Sequence, residues 1–255
     1  MKAVNPLIID LILQLQSIEV LKPFALAGGT NLALRYNKRL SIDIDLFTSN
    51  MVGKNGFEHI SKELKKYFAS SLLFCEIINT ESGDQYCFLR ALINNSGLNI
   101  KVELIQNIPL LKAVEIFEGI KLLSLKDLGT LKLMSGTGRK ANKDIYDLDL
   151  ITDEIILEDL LELLREKETR FNKEENKCLF DLDEPPSPVN NLSLLLEFDN
   201  IDYSSLPLRP SHSNDRIELM LNAKSWQMAK LSWKRKVKDL MNRKGLSYPG
   251  IKPIN

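Results

Sequence analysis

The spacing of apolar and polar positions along the 255-residue chain predicts sheet in the first half and helix in the second. Leu7 to Leu15 is a short apolar run broken by Asp10 and Gln14, with no small-residue cleavage site after it, and reads as an amphipathic helix. A strand over residues 24–27, a glycine turn, a helix over 31–35 and a strand over 41–47 come next, then a helix-like stretch over 56–69. Residues 72–79, 86–93 and 98–105 read as three strands, the last two joined by Asn94-Asn95-Ser96-Gly97, whose composition is that of a hairpin turn. Ser124 and Asp127 form a capping-box-like helix start, followed by the apolar stripe Leu125, Leu128, Leu131 and Met134 and the closing Gly136 and Gly138. Helices over 142–150 and 154–167 follow. Seven of the ten prolines lie after residue 184, so Pro185-Pro186-Ser187-Pro188 reads as a loop, 215–243 as a long helix and the last residues as extended. The class is α+β: a mixed sheet flanked by helices, then a mainly helical C-terminal region.

No stretch of 18 or more apolar residues is present, so nothing is expected to span a bilayer and a cytoplasmic protein is expected. Cys75, Cys87 and Cys178 are widely spaced and odd in number, which fits a reducing compartment and offers no zinc motif. With only His59 and His212, histidine chemistry is disfavoured. Net charge is zero, 34 basic against 34 acidic residues, but the average hides an asymmetry. Residues 151–202 hold fifteen acidic and five basic side chains, whereas 221–255 hold nine basic and one acidic, with Trp226 and Trp233 seven apart. A basic helix carrying two aromatic rings suits an RNA backbone and its bases; docking of the same helix on the acidic stretch is the competing reading.

The chemistry concentrates in Ala27-Gly28-Gly29-Thr30-Asn31, followed by Arg39-Leu40-Ser41-Ile42-Asp43-Ile44-Asp45-Leu46. On a strand Ile42, Ile44 and Leu46 face the core, leaving Ser41, Asp43 and Asp45 on the other face, where two carboxylates one residue apart suit a divalent cation. Two glycines before a helix allow close backbone approach, and the first N–H groups of the helix attract anions, so Gly28, Gly29 and Thr30 suit phosphate, with Arg35 or Arg39 adding charge. Glu103, on the strand over 98–105, is the candidate third carboxylate, preferred over Glu76 on a strand expected to lie farther away. Downstream, Lys132, Arg139, Lys143, Asp144 and Asp147 form a second polar group, in which Asp144 and Asp147 share one helix face and suit a lysine or arginine partner.

The Gly-Thr and Asp-x-Asp spacing resembles the signature of the polymerase-β-like nucleotidyltransferase superfamily. The run from Lys132 through Asp147 is similar to the downstream part of its AbiEii/AbiGii-toxin group. The resemblance covers roughly residues 24–150; it departs at Glu103, where the superfamily commonly has Asp, and nothing after about residue 168 matches a known pattern. Together with the residue pattern it divides the chain into an N-terminal helix over 1–22, a catalytic core over 23–120, a helical part over 121–168 completing the nucleotide site, and a C-terminal helical region over 169–255 with acidic then basic segments. It also implies Mg²⁺ or Mn²⁺ on Asp43, Asp45 and Glu103, an NTP held by Gly28, Gly29, Thr30, Arg39, Ser41, Lys132 and Arg139, and catalytic roles for Lys132, Asp144 and Asp147. The acceptor implied is tRNA or another RNA, reached through the basic C-terminal segment, in a toxin–antitoxin or phage-defence setting with a cognate antitoxin protein. A small-molecule nucleotidyltransferase of the aminoglycoside type and a non-catalytic nucleotide- or partner-binding module are the alternatives.

Overall fold

The computed structural model describes residues 2–79, 82–200 and 216–248, with Asp199 and Asn200 described by backbone alone. The prolines at 207 and 210, His212, Lys252 and the extended last residues expected above lie outside the described residues. The chain divides into two compact units. The first comprises residues 1–128, 167–184 and 218–223; the second comprises 129–166, 185–217 and 224–255.

In the first unit, α1 (Pro6–Ser17) starts on Asn5, whose side chain accepts a hydrogen bond from the Leu7 amide, with proline at the first helical position, where its missing N–H costs nothing. Strands β1 (Ala25–Leu26), β2 (Ile44–Phe47), β3 (Leu72–Ile78), β4 (Phe88–Asn95), β5 (Leu98–Ile105), β6 (Glu115–Phe117) and β7 (Ile120–Leu122) form one sheet of order β3-β4-β5-β2-β1-β7-β6. The β2–β5 and β1–β7 pairs are parallel; the others are antiparallel. The β4–β5 hairpin turns on Ser96 and Gly97, both at positive φ, as a two-residue turn matching strand twist requires.

One face of the sheet is apolar. Ile44, Leu46, Leu89, Ala91, Ile93, Ile100, Val102 and Leu104 are buried there in one cluster with Ile8, Leu11, Ile12 and Leu15 of α1 and Phe57, Ile60, Leu64 and Phe68 of α3 (Gly53–Phe68). With helices on that side, period-2 alternation sends the polar residues of β2, β4 and β5 to the opposite face.

Two expectations change here. The strand expected over 41–47 pairs only from Ile44, and Ile42 is 68% exposed rather than in the core. The preceding residues bond elsewhere: the Leu40 amide donates to Glu218 O and the Ser41 amide to Ala3 O. The helix over 31–35 instead runs from Gly28 to Tyr36 (α2), so both glycines lie in its first turn. The β6–β7 hairpin, turning on Glu118 and Gly119 at positive φ, was not expected from the sequence.

In the second unit, α5 (Asn142–Ile151) packs against α7 (Trp226–Arg243). The long helix expected from 215 begins only after Ser225, whose Oγ accepts from the Met228 amide. Before it, residues 218–223 belong to the first unit: Leu219 bridges antiparallel to Arg39, the Met220 amide donates to Lys38 O, and 221–223 turn. Trp233 is fully buried and its indole N–H donates to Leu195 O at 2.9 Å. We predict that Trp233→Phe costs about 1–3 kcal/mol in chemical denaturation, because it strands that carbonyl and leaves a gap. Among the described residues no helix is long and apolar enough to cross a membrane.

Candidate active site

The site of interest in the first unit lies where α2 opens beside the start of β2. The Ala27 amide donates to Asp45 O at 2.8 Å, bringing the glycine turn against the acidic strand. Gly28 has φ +60°, and a Cβ built there would overlap the Asp45 carboxylate. Only glycine meets both demands. The Arg39 guanidinium lies over Gly29 in the same way, and Arg39 is buried. Gly28→Ala is therefore expected to lose about 1–3 kcal/mol through strain and overlap, and to slow any reaction at Asp45 about 100-fold by displacing the carboxylate; thermal unfolding and turnover check the two effects.

Thr30 is wholly buried, and its hydroxyl donates to Asp43 O and lies 2.8 Å from Ser41 Oγ. It ties the first turn of α2 to the segment carrying Asp43. Arg35 serves the scaffold too: its guanidinium bonds Asn31 Oδ1, Glu115 Oε2 and Leu123 O, while buried Asn31 donates to Leu26 O and Leu123 O.

Across the polar face of the sheet the register places Asp45 beside Glu103, Glu103 beside Arg90 and Arg90 beside Glu76. Glu103 thus adjoins the acidic strand, and Glu76 stands two strands beyond it. Two cations on this face are not signalled by any sequence motif. Arg90 Nε donates to Glu103 Oε1 at 2.8 Å and its Nη2 lies 2.7 Å from the same oxygen. Lys101 Nζ stands 3.4 Å from Asp43 Oδ2 and 3.6 Å from Glu103 Oε2. Burial pushes the Lys101 ammonium toward neutrality, but Glu103, Asp43 and Asp45 outweigh it and raise its pKa above the ordinary lysine value.

Asp45 and Glu103 lie side by side on adjoining strands and Asp43 sits just before β2, outside the strand expected to carry it; all three offer only hard oxygen donors, which fits a divalent cation such as Mg²⁺ by donor class. They are not drawn around a common centre: among the described residues no group of three or more His, Cys, Asp or Glu is arranged to hold a metal ion. Elsewhere in the first unit, a cavity of about 440 Å³ is lined by Ser49, Asn107, Lys112, Arg170 and Phe171 among others, and contains none of the candidate residues.

The downstream group lies in the second unit. Lys132 is buried and its Nζ lies 2.7 Å from Asp144 Oδ1 and 2.8 Å from Asp147 Oδ2, both carboxylates being fully buried. Arg139, half exposed, closes on Asp144 through Nε at 2.6 Å and Nη2 at 2.8 Å. Burial alone would raise the Asp144 pKa; Arg139 and Lys132 override it and hold the carboxyl well below the usual carboxylate range.

Part of the charge asymmetry is settled inside this unit. Lys224 and Lys236 both engage Asp149 and Asp153, with Asp149 fully buried, while Arg243 and Lys244 engage Glu158. Trp233 lies in the core and the Trp226 ring meets Phe198 edge-on at 6.1 Å. The paired stacking face expected of the two tryptophans is therefore not open: seven residues apart they share a helix face, and that face is turned onto Phe198 and the core. Arg235 and Lys238 remain on the exposed side of α7.

The first unit is thus a mixed sheet with a glycine-opened helix set against an acidic strand. A crystal structure described as a "putative nucleotidyltransferase from H. pylori" shares it, with a TM-score of 0.52 over 95% of this chain and 96% of that one at 15% identity. The chain belongs to the AbiEii nucleotidyl transferase toxin family of type IV toxin–antitoxin systems, whose profile matches residues 15–242. An uncharacterized protein of Aquifex aeolicus (strain VF5) is 30% identical over 132 residues. That match spans 52% of this chain and 59% of the relative's length.

Proposed function

We propose that this chain transfers a nucleoside monophosphate from an NTP to a hydroxyl of RNA, tRNA included, and that it does so as the toxin of a toxin–antitoxin or phage-defence pair with a separate antitoxin protein. The observation that carries the reading is the packing of the Asp45 carboxylate against Gly28 at the opening of α2, which brings cation ligands and phosphate-binding amides together. Asp43, Asp45 and Glu103 would hold Mg²⁺ or Mn²⁺, which supplies charge for the phosphates and lowers the pKa of the acceptor hydroxyl. The amides at the start of α2 would receive the β- and γ-phosphates, and Arg39 beside Gly29 adds positive charge. The acceptor oxygen bonds to the α-phosphorus, its proton passes to a carboxylate of the group, the α–β bridging bond breaks and pyrophosphate departs. Family membership supports the toxin setting, and the exposed Arg235 and Lys238 support a polyanionic acceptor.

The test supplies each α-labelled NTP, Mg²⁺ or Mn²⁺ and total cellular RNA to the full chain. Ribonuclease-sensitive label supports the proposal. Label on a small molecule would assign the aminoglycoside-type alternative, and metal-dependent NTP binding without any transfer would leave a binding module.

A further inference from the structure

We infer that Lys101 is the chain's own counter-cation for the carboxylate group, standing between Asp43 and Glu103 where a divalent ion must enter, and that it thereby weakens the binding of free metal. The inference rests on the proposed reading of Asp43, Asp45 and Glu103 as metal ligands and adds a residue that sets the occupancy of that site.

The two cations on this face are held differently. Arg90 grips Glu103 at 2.7–2.8 Å with two nitrogens of one planar group. Lys101 stands at 3.4 and 3.6 Å from its two partners, longer contacts than those of Arg90, on a flexible stem about two-fifths exposed. Arg90 is thus a fixed clamp, whereas Lys101 is displaceable.

The register accounts for the position. Ile44 pairs with Val102 and Asp45 with Glu103 in the parallel β2–β5 pair, so Lys101, two residues before Glu103, comes level with Asp43. Removing Lys101 makes the charge around the three carboxylates, which Arg90 and the nearby Arg39 also offset, more negative by one unit and so a better attractor for a divalent ion. An incoming triphosphate offers the released ammonium a new anion, so metal is expected to bind better with nucleotide than alone.

The experiment measures Mn²⁺ binding to the full chain without nucleotide, reading free Mn²⁺ by electron paramagnetic resonance, for wild type, Lys101→Met and Lys101→Arg. Removing the charge is expected to tighten Mn²⁺ binding about tenfold, while Lys101→Arg stays near wild type. Lys101→Gln repeats the test should the methionine variant fold poorly, and thermal midpoints report folding of each. Unchanged or weaker binding in folded Lys101→Met or Lys101→Gln, beside a wild type that binds Mn²⁺, overturns the role of Lys101 and leaves the metal-site reading standing. Absence of Mn²⁺ binding in every variant, with and without NTP, overturns both.

Discussion

Asp45→Asn is expected to reduce nucleotidyl transfer on the order of 1,000-fold or more while leaving the fold intact. The substitution keeps size and shape but removes a charge from a carboxylate proposed to carry both the cation and the developing phosphate charge. Asp45 lies half-buried on the polar face beside Glu103, so its neutralisation relieves like-charge repulsion but also gives up attraction to Lys101, and thermal stability should stay near wild type as activity collapses. Asp43→Asn should behave likewise, except that it also takes one partner from Lys101. Unfolding and turnover measured on the same preparation separate this outcome from damage to the scaffold, which would lower both.

The second large effect concerns stability. Lys132→Met is expected to cost about 3–5 kcal/mol, because Asp144 and Asp147 are fully buried and lose a shared cation. Arg139 remains on Asp144 and keeps the loss from being total. The acid response follows from the depressed Asp144 pKa. Its folded value lies below the unfolded one of about 4, so its contribution is complete above pH 4 and disappears as pH falls toward the folded pKa. Weakening that depression in Lys132→Met should move acid unfolding to higher pH, as circular dichroism across an acid titration would register. An unchanged acid midpoint would show that Lys132 contributes little to holding Asp144 ionised.

What could be read from the sequence depended on whether local pattern or long-range register made the decision. β5 emerged at its full extent, Leu98–Ile105, because clean alternation and the Ser96-Gly97 turn are both local. The capping start at Ser124 was legible too: Ser124 Oγ and the Asp127 carboxylate lie 2.7 Å apart, and Ser124 Oγ accepts from the Asp127 amide. The β6–β7 hairpin was not, since strands of three residues carry too few positions to establish a period. Ile42 misled because alternation assigns a face only while the strand is paired, and pairing begins at Ile44.

At the site, Gly28, Asp43, Asp45 and Glu103 could be singled out by residue type and spacing. Arg90 and Lys101 could not, because their relevance comes from strands meeting in a register that no local motif records. Thr30 and Arg35 were legible as polar residues beside a glycine turn, but the hydrogen bonds that occupy them come from residues distant in sequence or across a helical turn. The zero net charge concealed the most. Acidic and basic stretches meet within one unit, through Asp153 and Glu158 on one side and Lys224, Lys236, Arg243 and Lys244 on the other, with Asp149 just before the acidic stretch joining them.

In the proposed reaction an NMP, and no other part of the nucleotide, reaches the acceptor. Its most direct test supplies NTP labelled at the α-phosphate in one reaction and at the γ-phosphate in another, with Mg²⁺ and RNA. Label from the α-phosphate is expected on RNA, label from the γ-phosphate in released pyrophosphate in equal amount, and neither with Asp45→Asn. Label from the γ-phosphate on the acceptor, or transfer that persists undiminished in Asp45→Asn, would contradict it.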